Sequence, residues 1–206
     1  MGRCLIVCGG DFDVSLLPPL EKGDLLVAAD SGLSPLLAAG LRPSLCIGDF
    51  DSLGHIPSGF PVLQLPVRKD DTDLVAACRE CLRRGYRDFL LFGTLGGRRF
   101  SHSLAAVQTL AWLNEQQAAA EIVDSRGRLS LLGPGERRFP PGRRDIISIF
   151  AYGGEAVLSL RGLSYPLDRY TLTPGFPLGV SNALTGEAAI ITVHEGRILL
   201  VEEPEE

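Results

Sequence analysis

The sequence lacks any apolar run long enough to cross a membrane, and its first residues, MGRCLIVCGG, lack the layout of a secretory signal peptide. It also lacks an excess of basic residues. The formal net charge is −5 at pH 7, whereas proteins that bind nucleic acid usually carry a basic patch and a high pI. These absences favour a soluble protein with neither membrane nor nucleic-acid partners, and we expect it in the cytoplasm.

Cysteine is scarce and follows no pairing pattern. The five cysteines are an odd number, and their spacings match no disulfide framework. Cys78 and Cys81 lie three residues apart, but no matching pair of Cys or His residues completes a zinc site. We therefore predict that all five thiols are reduced and that most are buried.

Residues 1–125 alternate short apolar runs with segments of helical periodicity. This alternation predicts βαβ units, and hence an α/β fold with a Rossmann-like, mostly parallel sheet and helices on both faces. Ligands bind such sheets beyond the carboxyl ends of the strands. The predicted strands are Cys4–Cys8, Leu25–Ala29, Leu45–Ile47, Val62–Leu65, Phe89–Phe92 and Glu121–Val123, and the predicted helices are Ser31–Ala39, Thr72–Arg84 and Ser101–Gln116.

Residues 126–206 have a different texture. They are rich in Gly, Pro and Arg, and they contain many short β-rich runs without helical period. Closely spaced turn signals between such runs predict a separate all-β domain, a small sandwich or a barrel-like structure. The acidic end of the chain, EEPEE, is expected to be disordered.

The stretch CIGDFDSL ends an apolar strand on two acids, Asp49 and Asp51. In an extended chain, side chains two positions apart point the same way, so the two acids would lie side by side and Phe50 would face the interior. Adjacent carboxylates repel each other unless a cation lies between them. The alternative is a solvated turn, because Asp, Gly and Ser are common turn residues.

Other strand-to-helix junctions carry the same kinds of residue, and all should lie along one edge of the sheet. Carboxylates suit Mg²⁺, while a glycine-rich loop and an arginine suit phosphate. Helix capping and chain turning are the alternatives for each junction alone, but four successive junctions favour a site for a nucleotide with Mg²⁺. The residues are Asp30 after the second strand, Asp49 and Asp51 after the third, Lys69, Asp70, Asp71 and Asp73 after the fourth, and Gly93, Gly96, Gly97, Arg98 and Arg99 after the fifth.

Taken together, these motifs resemble those of the thiamine pyrophosphokinase family over nearly the full chain. The matching stretches are VAADSG, PSLCIGDFDSL, KDDTDL, GTLGGRRFSH, GLSYPL and GVSNAL. The resemblance implies an ATP-binding α/β domain over 1–125, a thiamine-binding β domain over 126–206, and a homodimer with shared active sites. It also implies transfer of a diphosphate group from ATP to thiamine, with Mg²⁺ as cofactor and AMP as the second product.

The resemblance also implies roles for individual residues. The implied metal ligands are Asp30, Asp49, Asp51 and Asp73, and the implied catalytic residues are Asp49, Asp51, Asp73 and Arg98. The implied nucleotide-binding residues are Asp30, Lys69, Thr72, Asp73, Gly96, Gly97, Arg98 and His102. The implied substrate-binding residues are Tyr165, Ser181, Asn182 and Ser101. His102 could equally pack or hydrogen-bond in a first helical turn, and Tyr165 could equally be a core or strand tyrosine.

Two positions depart from the family pattern. Ser101 stands where the family usually has Asp, and Ala106 stands where Asn is frequent. Ser101 could instead be only a helix N-cap. The departures leave open a diverged paralogue that keeps the nucleotide–Mg²⁺ site but has another acceptor or no catalysis. A haloacid-dehalogenase-type phosphatase is a further alternative, because DFDS resembles its Asp-x-Asp signature, although here the motif ends a later strand.

Overall fold

The computed structural model describes residues 2–68, 70–97 and 99–205. The chain divides into two compact units, Met1–Ser125 and Arg126–Glu206. Within the described residues, every helix lies in the first unit and the second unit is built from strands. No helix in the described ranges combines the length and the apolarity needed to span a membrane.

The first unit is built on six parallel strands in the order β4-β3-β2-β1-β5-β6. The prediction of an α/β unit with a mostly parallel sheet is therefore confirmed. The strands are β1 (Cys4–Val7), β2 (Leu25–Ala29), β3 (Leu45–Gly48), β4 (Val62–Gln64), β5 (Asp88–Phe92) and β6 (Ala119–Asp124), and the helices are α1 (Leu33–Ala38), α2 (Asp73–Arg83) and α3 (Phe100–Glu115).

The central strand of this sheet is buried on both faces. All four residues of β1 are fully buried, as is typical of a parallel strand that forms a continuous apolar run. Leu5 packs in one cluster with Leu33 of α1, whereas Cys4 on the opposite face hydrogen-bonds Cys81 of α2. Helices therefore cover both faces of the sheet at its centre.

The cysteines occur as free thiols. Four of the five are buried, and Cys8 is half-buried, so the prediction that most of the cysteines are buried is confirmed. Their pKa values follow from this environment. The hydrogen bond with Cys81, together with burial, raises the pKa of Cys4, and burial raises the pKa of Cys78.

The second unit has two antiparallel groups of strands that share one apolar core. One group has the order β11-β10-β13-β8, and the other has the order β12-β9-β14-β7. Ile149 of β9, Leu160 of β10 and Ile191 of β13 all lie in that core. The strands are β7 (Gly127–Leu132), β8 (Gly135–Phe139), β9 (Ile146–Ala151), β10 (Ala156–Arg161), β11 (Leu167–Leu172), β12 (Gly179–Ala183), β13 (Ala189–Glu195) and β14 (Ile198–Glu203).

The acidic end of the chain is more ordered than its composition predicts. β14 continues through Glu203, and the Glu202 side chain is buried. Glu202 accepts hydrogen bonds from Nη2 of Arg137 at 2.9 Å and from Nη2 of Arg143 at 3.0 Å. The expectation of disorder was wrong for Glu202 and Glu203, because two guanidinium groups compensate the buried carboxylate.

A partly buried ion pair just before β2 makes a testable contribution to stability. Asp24 accepts hydrogen bonds from the backbone N, Nε and Nη2 of Arg3 at 2.8, 3.2 and 2.6 Å. These bonds lower the pKa of Asp24 to about 2, from an ordinary value of 3.8. As the pH falls, the unfolded chain therefore binds a proton at this carboxylate before the folded protein does. The stabilisation from the ion pair is present above about pH 4 and is lost as the pH falls to about 2.

We therefore expect Asp24→Asn to lower the free energy of unfolding at pH 7, with a difference from the native protein that shrinks between pH 4 and pH 2. Urea denaturation at several pH values measures this difference. Glu21→Gln is the control, because the Glu21 side chain is 78% exposed and lies 3.9 Å from Arg3. A difference for Asp24→Asn that stays constant down to pH 2 would contradict the proposed cause.

Candidate active site

The carboxyl ends of the six parallel strands form one edge of the first unit. Val7, Ala29, Gly48 and Phe92 are the last residues of β1, β2, β3 and β5. Because neighbouring strands run parallel, the segments that follow them leave the sheet at the same edge. The acids and glycines singled out in the sequence belong to these segments.

Three of the predicted acids form a compact group at this edge. One carboxylate oxygen from each of Asp30, Asp49 and Asp51 lies within 4.8 Å of the other two. Asp30 and Asp49 are half-buried, and Asp51 is exposed. Oδ1 of Asp30 is buried and has no hydrogen-bond partner in the part of the chain that the structure describes. Such a set of oxygens could hold a hard divalent cation, because Mg²⁺ and Ca²⁺ prefer carboxylate ligands.

The backbone around this group adopts unusual conformations. Asp30 has φ 47° and Phe50 has φ 59°, both in the left-handed region that residues other than glycine seldom occupy. Gly48 lies directly against Asp30, since a Cβ at Gly48 would be 3.0 Å from the Asp30 Cα. Glycine at the end of β3 therefore permits the approach of β2 and β3 that brings their acids together.

The geometry of the GDFDS stretch differs from the extended chain that the sequence predicted. β3 ends at Gly48, and a turn follows in which the Asp51 amide donates to Oδ1 of Asp49 at 3.2 Å. The extended-chain argument was wrong, because the left-handed Phe50 intervenes between the two acids. Phe50 is nevertheless buried, as predicted. The turn and the carboxylate group thus coexist in one structure.

Asp73 lies at the same edge but outside the group of three acids that the structure brings together. It is the first residue of α2, whose N-cap is Thr72; Oγ1 of Thr72 accepts a hydrogen bond from the Val75 amide at 3.2 Å. Burial and the negative charges of Asp73 and Asp30 raise the pKa of Cys8 to about 12. Both acids therefore lie near the Cys8 thiol, which follows β1.

The glycine-rich loop after β5 is joined to the loop after β1. Gly93, Gly96 and Gly97 have φ values of 60°, 69° and 73°. The Gly10 amide donates to the Gly93 carbonyl at 2.8 Å, and a Cβ at Gly96 would lie 2.1 Å from Oδ2 of Asp11. Glycine is needed here for the backbone conformation and for the close contact between the two loops.

Sequence reasoning missed two features of this edge. The loop of residues 8–11, CGGD, was not predicted as part of the site, although it follows the first apolar run as IGDFD follows the third. Thr94 was also missed; it is buried, and its Oγ1 has no hydrogen-bond partner among the described residues. The signal available for both was their position directly after a predicted strand.

The remaining predicted residues of the first unit fall into two groups. Lys69 and Arg98 lie outside the described residues. Ser101 and His102 are exposed in the first turn of α3, which begins at Phe100 and has Arg99 at its N-cap position. The interpretation of Ser101 as an N-cap was therefore wrong. Ala106 is buried on α3, so a small side chain there fits the packing of the helix.

Two of the three predicted residues of the second unit, Tyr165 and Asn182, are joined by hydrogen bonds at the segment between β10 and β11. Tyr165 is 70% exposed, so the alternative of a core tyrosine was wrong. Asn182 is buried, and its Oδ1 accepts from the Tyr165 amide at 2.9 Å while its Nδ2 donates to the Tyr165 carbonyl at 2.8 Å. Ser181 is exposed with φ 57°, and its amide donates to Oγ of Ser148 at 3.1 Å. The Asn182 amide is thus used to fix the backbone of Tyr165.

The carboxylate group predicts a specific response to Mg²⁺. In Asp30→Asn one charge is lost, and Asn tolerates the left-handed conformation, so we expect a melting temperature without divalent cations at least equal to that of the native protein. Mg²⁺ should raise the melting temperature of the native protein and have little effect on Asp30→Asn. Thermal denaturation with and without Mg²⁺ measures both quantities.

Asp88→Asn serves as the matched control. Asp88 is an exposed acid at the start of β5, which is the end of that strand opposite to the candidate site. This variant should keep the native response to Mg²⁺. Equal Mg²⁺-induced shifts in Asp30→Asn and the native protein would show that Asp30 is not a cation ligand.

Comparison with protein families gives two matches along the chain. The family model described as "Thiamin pyrophosphokinase, catalytic domain" matches residues 18–123, and the model described as "Thiamin pyrophosphokinase, vitamin B1 binding domain" matches residues 138–198. The first match contains the group of three acids, and the second contains Tyr165, Ser181 and Asn182.

One relative and several solved structures agree with these matches. The chain is 28% identical over 208 residues to thiamine pyrophosphokinase of Bacillus subtilis (strain 168), covering 95% of this chain and 96% of that protein. The crystal structure of thiamine pyrophosphokinase from Bacillus subtilis superposes with a TM-score of 0.85 at 26% identity and full coverage of both chains.

Two further crystal structures share this architecture. Thiamin pyrophosphokinase from Geobacillus thermodenitrificans has a TM-score of 0.82 at 26% identity, with 100% of this chain and 99% of that chain covered. Thiamin pyrophosphokinase from Candida albicans has a TM-score of 0.83 at 16% identity, with 98% of this chain and 89% of that chain covered. At this low identity the similarity is one of fold. The catalytic-domain model by itself matches half of the chain, and the chain therefore belongs to the thiamin pyrophosphokinase family.

Proposed function

We infer that this protein transfers a diphosphate group from ATP to thiamine, giving thiamine diphosphate and AMP. The observation that carries the inference is the presence of both family domains in one chain, with a group of three carboxylates inside the catalytic one. The diverged paralogue and the phosphatase are not favoured, because neither accounts for a matching vitamin B1 binding domain.

A Rossmann-like arrangement of the first unit is part of the proposal. In its strand order, β4-β3-β2-β1-β5-β6, strands β2 to β4 lie on one side of β1, whereas β5 and β6 lie on the other. The direction in which successive strands are added therefore reverses between β1 and β5. Nucleotides bind open α/β sheets at such a reversal, beyond the carboxyl ends of the strands. The amides of Gly10 and Asp11 donate to the carbonyls of Gly93 and Leu95. The loop of residues 93–97 is therefore proposed to present its own backbone N–H groups to phosphate oxygens, because its glycines permit a close approach. We therefore propose Gly96 and Gly97, with Arg98 and His102 beyond them, as nucleotide-binding residues.

The same edge supplies the residues that would hold Mg²⁺. Asp30, Asp49 and Asp51 would be its ligands, with Asp73 nearby, and the unpartnered Oδ1 of Asp30 fits this assignment. Bound Mg²⁺ neutralises charge on the phosphate oxygens of ATP. Thr72 uses its Oγ1 as an acceptor for the Val75 amide, so its hydroxyl proton is available to donate to phosphate.

The reaction forms a bond between the thiamine hydroxyl oxygen and the β-phosphorus of ATP, and it breaks the bond between that phosphorus and the oxygen that leaves on AMP. The hydroxyl proton passes to a carboxylate of the site. Lys69 and Arg98 are proposed to bind the polyphosphate on the basis of the family motif, because negative charge accumulates on its oxygens during transfer.

Thiamine is proposed to bind the second unit beside Tyr165. The phenol ring is exposed, and the Asn182 amide fixes its backbone from both sides, which suits a ring that stacks on a planar ligand. Ser181 is exposed next to Asn182 and can donate a hydrogen bond to the substrate. Ser101, exposed at the start of α3, is the proposed substrate-side residue of the first unit.

We expect Tyr165→Ala to raise the KM for thiamine by roughly several-fold or more, because an aromatic stack is worth ~0.5–1.5 kcal/mol beyond its buried area. The KM for ATP should stay near the native value. Tyr152→Ala is a matched control, since Tyr152 is another tyrosine of the second unit and follows β9 directly, outside the segment between β10 and β11. Equal increases of both KM values would count against stacking on thiamine.

A homodimer with shared active sites is proposed on the family resemblance. The second unit supports it, because several large apolar side chains are exposed between residues 165 and 180, and such groups mark interaction surfaces. We expect sedimentation velocity to show a dimer at micromolar concentration and Phe176→Ser to weaken it. A fully active monomer would exclude this assembly. The exposed side chains are Tyr165, Tyr170, Phe176, Leu178 and Val180.

Location and other partners complete the proposal. The five free thiols suit a reducing compartment, and we propose the cytoplasm. The net charge of −5 gives no electrostatic basis for binding nucleic acid.

The decisive experiment incubates the purified protein with ATP, Mg²⁺ and thiamine and quantifies the nucleotides and thiamine esters. AMP and thiamine diphosphate should appear in equal amounts. Omission of thiamine is the control and should abolish AMP release. Formation of ADP instead of AMP, or a trapped aspartyl-phosphate, would overturn the proposed function.

A further inference from the structure

We propose that Arg79 is a positioning residue for the nucleotide site and that it acts through Asp71. The proposal rests on the proposed function of the first unit. Asp71 belongs to the segment Asp70–Asp73, which leads from β4 into α2 and carries Thr72 and Asp73 of the candidate site.

Arg79 binds Asp71 with both terminal nitrogens. Nη1 donates to Oδ2 at 2.5 Å and Nη2 donates to Oδ1 at 3.3 Å, the paired geometry in which a planar guanidinium matches a carboxylate. The Arg79 guanidinium carbon also lies 5.9 Å from the centre of the Trp112 ring on α3. The guanidinium is therefore held between the Asp71 carboxylate and a second helix.

This ion pair adds an anchor to the segment beside the one that Thr72 provides. Thr72 fixes the segment to the first turn of α2 through the Val75 amide. Arg79 fixes the preceding residue to a later turn of the same helix. Asp70 and Asp73 flank these two anchored residues. The orientations of the Asp70 and Asp73 side chains therefore depend on both anchors.

The Arg79–Asp71 ion pair also reduces the repulsion between neighbouring acids. Three acids, Asp70, Asp71 and Asp73, fall within four residues. Like charges so close repel each other. Arg79 compensates the charge of the Asp71 carboxylate, which reduces the repulsion that Asp71 exerts on Asp73. In the K-D-x-T-D pattern Asp71 occupies the unspecified position, so its role differs from that of its neighbours.

The effect should appear in nucleotide affinity rather than in global stability. The Arg79 and Asp71 side chains are 60% and 29% exposed, and exposed ion pairs contribute little to folding. For Arg79→Gln we expect a KM for ATP raised roughly 3- to 10-fold, a change of the size that loss of one ordering contact gives. The KM for thiamine should stay within about twofold of native, because the contacts described for Arg79, with Asp71 and Trp112, belong to the nucleotide-binding unit.

The test compares Arg79→Gln, Asp71→Asn, the double variant, and the exchange Asp71→Arg/Arg79→Asp. Arg83→Gln is the matched control, since Arg83 lies on the same helix and pairs with Glu80 at 2.8 Å, away from the segment. Each variant is assayed for both KM values and for melting temperature. The affinity for ATP with Mg²⁺ is measured in parallel by calorimetry, so the pair is tested even if the native protein does not turn over thiamine.

The proposal expects similar losses of ATP affinity in the two single variants, no further loss in the double variant, partial recovery in the exchange variant and native values for Arg83→Gln. A lowered melting temperature with unchanged ATP affinity would reduce Arg79 to a structural role and overturn the proposal. A loss confined to Asp71→Asn would also overturn it, because Asp71 would then act on the nucleotide directly. Absence of AMP formation by the native protein, with ATP affinity still dependent on Arg79, would reject the proposed function alone.

Discussion

The close approach of three carboxylates is the constraint on which the rest of the first unit depends. Two like charges at 4 Å repel by about 1 kcal/mol in bulk water and by about 4 kcal/mol near a protein surface. Asp30, Asp49 and Asp51 are held within 4.8 Å all the same, with Asp30 in a left-handed conformation and Gly48 against its backbone. Only a framework that cannot relax keeps such a group together, and a bound cation would relieve its repulsion.

The framework is the parallel sheet. β1 is buried on both faces, and β2 and β3 continue the sheet at fixed register, so the ends of the strands cannot move apart without breaking a packed core. The loops after β1 and β5 are then joined by backbone hydrogen bonds, and α2 is capped at Thr72. Each segment of the candidate site is therefore attached to the end of a rigid strand or helix. Such an attachment holds the positions of site residues to within fractions of an ångström.

The second unit holds the backbone of an exposed tyrosine in a defined conformation. The buried Asn182 amide bonds both the N–H and the carbonyl of Tyr165, so the backbone at this position is ordered although the side chain is exposed. The buried Glu202 between Arg137 and Arg143 shows the same use of a satisfied polar group inside this β structure.

The sequence by itself determined the elements and their order, because apolar periodicity is a local property: the strand predicted over Leu25–Ala29 matches β2, and the helix predicted over Thr72–Arg84 matches α2 to within a residue at each end. It also placed the acids at one sheet edge, since parallel strands share that edge. The tertiary structure alone decided which acids meet, since the turn at Phe50 and the contact of Gly48 with Asp30 join separate segments. It likewise decided that Asn182 faces inward, that Tyr165 faces outward and that Arg79 reaches Asp71, because burial and pairing depend on residues distant in the chain.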